Sequence, residues 1–238
     1  MKSLSLLKPI LYFNFIAGLF TGSVLAQEET AAKKDEKPLL RILCVEALPD
    51  AKEVMLATKD EEGEWNILSK EIEIRSKFVT QWIAVEKKAL YLVKKTNEAT
   101  VSLGQFSYPK NAKRVILVLV PNVAKKNYHM DVINPAGLTF SKGKTLIANY
   151  SKQRAVVQLG SKRKNVELGK KVIMTAGPDD NGMFRMLLGY LNEKGQPVPC
   201  YDRYVGYNKE SRDFLLLFPD TRQPGFAVFS LAEFGPFE

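Results

Sequence analysis

The chain has 238 residues, a formal net charge of +9, one histidine and two cysteines. This length suffices for one large β domain or two ordinary domains. A single histidine excludes a three-histidine zinc site and the HExxH helix of a zinc protease. The sequence also has no P-loop, no GxGxxG fingerprint and no GxSxG elbow. We therefore expect a protein that is not an enzyme, with no catalytic residue, no cofactor and no metal site.

The first 26 residues have the pattern of a cleaved signal peptide. Lys2 and Lys8 form a basic start, an apolar stretch covers residues 9–20, and the small-x-small sequence at 24–26 precedes the expected cut. The apolar stretch is shorter than the roughly 20 residues that a membrane-spanning helix requires. The sequence thus predicts an exported protein, periplasmic or extracellular, without a transmembrane anchor.

Residues 27–37 are dense in charge and contain no core-forming side chains. They predict a flexible leader before a folded part that begins near Pro38. The net charge falls from +9 to +7 once Lys2 and Lys8 leave with the signal peptide. This moderate, dispersed excess favours loose contact with anionic surfaces such as acidic glycans, without a motif for a specific nucleic acid.

Short alternating or apolar segments separated by turn residues follow, and they predict an all-β fold. The alternation is strict at residues 71–75 and 165–168, and acidic or Gly-containing turns occupy residues 60–64, 179–182 and 192–195. Such spacing is typical of immunoglobulin-like β-sandwiches. The other predicted strands cover 39–46, 52–58, 78–85, 89–94, 100–107, 113–120, 144–149, 155–159, 170–176, 183–191, 200–207 and 211–218.

Two segments that lie 98 positions apart resemble each other. Residues 113–122 read KRVILVLVPN and residues 211–220 read SRDFLLLFPD, each an apolar run that ends in Pro with Asn or Asp. A continuous apolar run predicts a strand covered on both faces, and the Pro-Asx pair predicts a turn. Duplication would give tandem sandwich units at 38–137 and 138–238. A single sandwich with two similar hairpins is the alternative.

The cysteines and the histidine permit more than one interpretation. An exported protein can form a Cys44–Cys200 disulfide, but a buried free thiol suits the apolar surroundings of Cys44 equally well. His129 lies in a predicted strand with no recognisable partner, which favours a structural role. The acidic turns at 60–64 and 177–182 could donate oxygens to calcium, although neither has the spacing of an EF-hand loop and hairpin turns account for both.

Two clusters are candidate binding sites. Five cations near one predicted hairpin could hold a phosphate or sulfate group, or could protect a sheet edge from aggregation. They are Lys162, Arg163, Lys164, Lys170 and Lys171. A tyrosine-rich strand could contact a glycan or a partner protein, with one face otherwise belonging to the core. Its tyrosines are Tyr201, Tyr204 and Tyr207, of which the first and last share a face.

A set of spaced residues resembles a group of exported bacterial β proteins of unknown function. They are Phe140, Gly143, Leu146, Asn149 and Ser151, followed by Leu159-Gly160 and by Leu168 with Lys171. The resemblance covers residues 110–235 and implies secretion and an all-β fold. It carries over no functional residue.

The sequence favours an exported, non-enzymatic envelope protein that acts in protein interaction or assembly, with an unknown envelope protein as its partner. A carbohydrate- or polyanion-binding module that recognises an anionic glycan is the alternative. A hydrolase based on a carboxylate pair, which requires only two suitably spaced acids, is the least favoured interpretation.

Overall fold

The computed structural model describes residues 37–86, 89–138, 140–220 and 224–235. The predicted signal peptide and nearly all of the predicted leader lie outside these residues. The described chain is all-β, with two single-turn 3-10 helices at Val123–Lys125 and Ala136–Leu138. No helix among the described residues is long and apolar enough to cross a membrane. The strands are β1 (Leu39–Cys44), β2 (Glu53–Lys59), β3 (Trp65–Ile67), β4 (Ile72–Glu73), β5 (Phe78–Val79), β6 (Ile83–Ala84), β7 (Ala89–Lys95), β8 (Thr100–Ser107), β9 (Arg114–Asn122), β10 (Asn127–Ile133), β11 (Thr145–Asn149), β12 (Ala155–Leu159), β13 (Lys162–Val166), β14 (Lys171–Met174), β15 (Met183–Leu191), β16 (Pro197–Gly206), β17 (Ser211–Pro219) and β18 (Phe226–Phe234).

The described strands form four sheets that stack in layers. Outer sheet 1 has the order β3-β2-β7-β8 with β4 beside β2, and inner sheet 1 has the order β10-β9-β1-β5 with β6 beside β1. Inner sheet 2 has the order β14-β11-β17-β18, and outer sheet 2 has the order β13-β12-β15-β16. A first core lies between outer and inner sheet 1, a second core between inner and outer sheet 2, and a central core between the two inner sheets.

The same strand topology occurs twice along the chain. β1 pairs in parallel with β9, which forms a hairpin with β10, and β11 pairs in parallel with β17, which forms a hairpin with β18. The outer sheets repeat this correspondence, because β2, β7 and β8 occupy the places of β12, β15 and β16. Each half is therefore a two-sheet sandwich of the same design. The domain division at 137/138 stays a prediction, as does the immunoglobulin-like type.

The two similar apolar segments become the inner strands β9 and β17, which are covered on both faces. Alternate side chains of each strand enter the central core, and the remaining apolar ones enter the first or second core. The central core receives Ile116, Val118 and Val120 from β9, with Phe214, Leu216 and Phe218 from β17. The other faces contribute Val115, Leu117 and Leu119 to the first core and Leu215 and Leu217 to the second. Burial on both faces explains why these runs are continuously apolar.

The predicted strand at 78–85 is interrupted in the structure. It forms β5 and β6, which both pair with β1, and Thr80 lies between them. The Thr80 amide donates to the Ile42 carbonyl at 2.9 Å, and the Ile42 amide donates to Thr80 Oγ1 at 3.0 Å. A side-chain oxygen therefore takes the place of a backbone carbonyl in the ladder, which local alternation does not reveal.

Candidate functional site

A groove opens where the two inner sheets end, and we call it the junction groove. Its volume is about 540 Å³. The buried side chains of Val45, Val120 and Phe218 line it together with Pro121 and Pro219. The remaining lining comes from Glu46, residues 122–124, His129, residues 150–152 and Gly169. Both Pro-Asx pairs singled out in the sequence lie at this end of the inner sheets, although Pro121 and Asn122 belong to β9 and the turn begins at Val123. Each half of the chain supplies part of the wall.

One short turn gives the groove an apolar rim. After β9 the chain makes the single 3-10 turn Val123–Lys125, in which Asn122 Oδ1 accepts a hydrogen bond from the Lys125 amide at 3.3 Å. Lys126 then adopts a left-handed conformation with φ of 51°, which returns the chain into β10. This tight reversal leaves Val123 71% exposed beside the groove. A single exposed apolar side chain is common on protein surfaces, and Val123 is relevant here because it adjoins the apolar lining of the groove.

A polar bridge joins the two inner sheets at Tyr150, which is part of the groove wall. The Tyr150 hydroxyl donates to Asp131 Oδ2 at 2.5 Å, and Lys171 Nζ donates to Asp131 Oδ1 at 2.7 Å. Asp131 belongs to β10, whereas Lys171 belongs to β14 and Tyr150 follows β11. Burial and the adjacent Asp131 carboxylate raise the pKa of Tyr150 far above its usual range, so the phenol stays protonated.

The rim of the junction groove carries excess positive charge. Lys152 lines the groove, Lys125 follows Val123 and Ala124 in the same turn, and Lys170 follows the lining residue Gly169. All three lysines are exposed, and within the described residues none of them forms an ion pair. The carboxylates are Glu46 in the lining and Asp220, which follows the lining residue Pro219, so three cations face two anions. Such a rim attracts an acidic partner to an apolar centre.

The predicted cationic cluster is divided between two sheets. Lys162, Arg163 and Lys164 are exposed on β13, an edge strand of outer sheet 2. Lys170 is exposed in the next turn, but Lys171 lies on inner sheet 2 and is bound to Asp131. The strand begins earlier than the predicted 165–168, so the first three cations are part of the edge itself. Exposed cations on an edge strand disfavour edge-to-edge pairing with the strand of another chain.

The predicted tyrosine cluster has one exposed member. Tyr201 and Tyr207 lie on the same face and pack against the second core. The Tyr207 hydroxyl donates to the Gly143 carbonyl at 3.4 Å, whereas Tyr204 is 70% exposed. Tyr204 is therefore the ring that a ligand could reach from solvent.

Both cysteines are free, and they lie in different environments. Cys44 is buried in the first core, whereas Cys200 is exposed on β16. Burial raises the pKa of the Cys44 thiol to about 12. A buried thiol in an apolar core is unreactive toward oxidants and disulfides.

The acidic turns use their carboxylates locally. Asp179 Oδ1 accepts hydrogen bonds from the amides of Asn181 and Met183, at 3.0 and 2.9 Å. Asp60 Oδ1 accepts one from the Glu64 amide at 2.8 Å. No group of three or more potential metal ligands occurs among the residues that the structure describes. These bonds close the hairpins and give Asp60 and Asp179 a local structural role.

The Asn-x-Ser part of the resemblance motif builds one side of the junction groove. Asn149 is fully buried, and its Nδ2 donates to the carbonyls of Gln153 and Val166, both at 2.8 Å. Its Oδ1 accepts from the Ser151 amide at 3.0 Å and from the Ser151 hydroxyl at 2.6 Å. The motif therefore fixes the 150–152 loop that lines the groove, which is a structural role.

Comparison with known proteins supplies no family. No protein-family model matches the chain, and no curated protein matches it. A solved structure described as a "putative cell adhesion protein" from Bacteroides eggerthii is similar to it, with 8% identity over 84% of this chain and 96% of that chain, and a TM-score of 0.25. A TM-score this low does not establish a common fold.

Proposed function

We propose that this protein is exported, is not an enzyme, and binds another protein of the cell envelope through the junction groove. The N-terminal pattern at residues 1–26 supports export. The observation that carries the binding proposal is the groove itself, with buried Val45, Val120 and Phe218 in its lining and the 71% exposed Val123 at its rim. The occupant is a protein segment that presents apolar side chains flanked by carboxylates.

The dimensions and chemistry of the groove fit such a segment. Its volume of about 540 Å³ lies in the range of roughly 300–1,000 Å³ that is usual for small-molecule pockets, so it can admit a few side chains of a partner segment. Protein interfaces combine an apolar centre with a polar rim, as the apolar lining and the three exposed lysines do here. Among the described residues, no hydrogen bond joins His129 to a nucleophile or a carboxylate, which favours binding over catalysis.

The first test is capture from a native envelope extract with the tagged protein, produced from its full-length gene. Val123→Asp places a charge at the apolar rim, and Tyr204→Asp is its matched control because the two side chains are 71% and 70% exposed. The captured protein is then purified and titrated against each form. We expect Val123→Asp to weaken its binding about tenfold or more, because the contact would then bury a carboxylate against the apolar lining, and Tyr204→Asp to leave it unchanged.

The salt dependence of the affinity distinguishes the contribution of the lysine rim from that of the apolar lining. Screening weakens attraction to the lysine rim, so binding should decrease at high salt but persist through the apolar contact. Equal affinities of the wild type and Val123→Asp would contradict the groove as the site. A loss confined to Tyr204→Asp would assign binding to β16 instead.

Polyanion binding through β13 is the second candidate function. The observation that favours it is the run of exposed Lys162, Arg163 and Lys164, which are free of ion pairs among the described residues. Retention on immobilised heparin tests it, with Lys162→Glu/Lys164→Glu against Lys125→Glu/Lys152→Glu as the control pair. Retention that depends only on the first pair supports this alternative, and retention unaffected by either pair contradicts it.

A further inference from the structure

The second half of the molecule has a smaller cavity, between inner sheet 2 and outer sheet 2, which we call the Asp213 pocket. Its volume is about 260 Å³. Thr145, Ser211 and Asp213 line it from the inner sheet. Leu159, Phe184 and Met186 line it from the outer sheet. The pocket is separate from the junction groove, with which it shares no lining residue.

Asp213 occupies an interior position of a central strand. β17 lies between β11 and β18, and Asp213 pairs with Thr145 on one side and Ala232 on the other. The equivalent pair in the first half is Val115 with Leu40, and both of these are fully buried in the first core. The equivalent cross-strand pair is thus apolar in inner sheet 1 and polar in inner sheet 2.

Few groups of the protein stabilise the charge of the Asp213 carboxylate. Its hydrogen-bond partner is Ser211 Oγ, at a long 3.3 Å from Oδ1. No cation pairs with it among the described residues. A partly buried carboxylate without a cation is costly, and a titratable group in this setting that lines a cavity is a candidate for a functional site. Burial also raises the pKa of Asp213 above its usual range.

We propose that the Asp213 pocket binds a small molecule that carries a primary ammonium group on a short apolar body. The ammonium group lies against the Asp213 carboxylate, beside the hydroxyls of Thr145 and Ser211. The apolar body packs on Phe184, Met186 and Leu159. A volume of about 260 Å³ is below the range of roughly 300–1,000 Å³ for drug-sized ligands, so the ligand is small. This proposal is independent of the proposed protein partner.

The test is calorimetric titration of the full-length protein with n-hexylamine, which is an ammonium ion at neutral pH, and with hexan-1-ol as its uncharged counterpart. We expect millimolar or tighter binding of the amine and weaker binding of the alcohol. Asp213→Asn should weaken amine binding about tenfold to a hundredfold, because a charge-assisted hydrogen bond is lost. Asp180→Asn, at an exposed turn position, is the control and should leave binding unchanged.

Two further outcomes decide the proposal. Asp213→Glu keeps the charge and should retain more amine binding than Asp213→Asn, and circular dichroism verifies that each variant is folded. Amine binding should decrease as the pH falls and Asp213 protonates, while alcohol binding stays constant. Equal affinity of the wild type and Asp213→Asn for the amine, or no amine binding by the wild type at millimolar concentration, would overturn the proposal.

Discussion

Replacing Asp213 by valine should stabilise the protein, and this prediction tests the energetic argument for the pocket. Asp213 faces the interior without a cation among the described residues, whereas the equivalent Val115 is 0% exposed in the first core. Asp213→Val therefore gives the second half the side chain that the first half already uses at this point. Residues that serve a ligand commonly reduce stability, so their replacement increases it.

The magnitude follows from two contributions. Full burial of a valine side chain is worth about 1.5–3 kcal/mol, but Asp213 is only partly buried and the pocket leaves one side open. Removing a partly desolvated carboxylate adds a gain that remaining solvation reduces. We expect a net increase in the free energy of unfolding of about 1–2 kcal/mol at neutral pH.

The pH dependence of this gain has a defined sign. Because burial raises the pKa of Asp213 in the folded state, the folded protein binds this proton more tightly than the unfolded chain does. The wild type therefore gains stability relative to Asp213→Val as the pH falls from the folded-state pKa to the ordinary aspartate value of about 3.9. The advantage of the variant should be largest at neutral pH and smallest below that value.

Urea unfolding at several pH values measures the effect, with a shift in the midpoint at an unchanged slope as the expected result. The matched control is Val115→Asp, which places an unpaired charge in the first core and should cost about 3–5 kcal/mol. If Asp213→Val lowers the free energy of unfolding with an unchanged slope, the carboxylate stabilises the fold. The reasoning that assigns it to a ligand would then be refuted.

Three further predictions concern the fold and the junction groove. Asn149→Ala removes four hydrogen bonds around the 150–152 loop and should lower the free energy of unfolding by about 2–4 kcal/mol in urea titrations. A loss below about 0.5 kcal/mol, which is the effect of an ordinary surface substitution, would contradict the structural role of Asn149. A double-mutant cycle with Asp131→Ala and Lys171→Ala should give a coupling of about 1 kcal/mol across the inner sheets, and additive effects would show that the ion pair contributes no net stability. Iodoacetamide should label Cys200 but leave Cys44 unlabelled until the protein unfolds, as mass spectrometry would detect, because burial raises the Cys44 pKa to about 12.

Local sequence patterns predicted the all-β fold correctly, because each pattern reports the burial of its own strand. The continuous apolar runs that became β9 and β17 indicated strands covered on both faces, and each run does separate two cores. The parallel pairing of β1 with β9 and of β11 with β17 was not predicted. Such pairing joins strands far apart in the chain, and no local alternation encodes it.

The junction groove was not predicted, because its lining comes from segments that are distant in the sequence. Its one available signal was the pair of Pro-Asx turns at residues 121–122 and 219–220, which predicted turns without indicating that they meet. Sequence proximity also grouped Lys171 with the exposed cations of β13, whereas the structure binds it to Asp131 on the opposite inner sheet. Residue type predicts chemistry, but the sheet on which a residue lies decides whether it is accessible.

The repeated topology makes each half of the molecule a reference for the other. Cys44 and Asn149 occupy equivalent places, since Cys44 pairs with Leu119 on β9 and Asn149 pairs with Leu217 on β17. The change from an apolar thiol to a buried amide is explained by four hydrogen bonds to a loop. At the position equivalent to Val115, the Asp213 side chain forms a single long hydrogen bond. One polar replacement is thus satisfied within the protein and the other is not, and the ligand that we propose would supply the partner that Asp213 lacks.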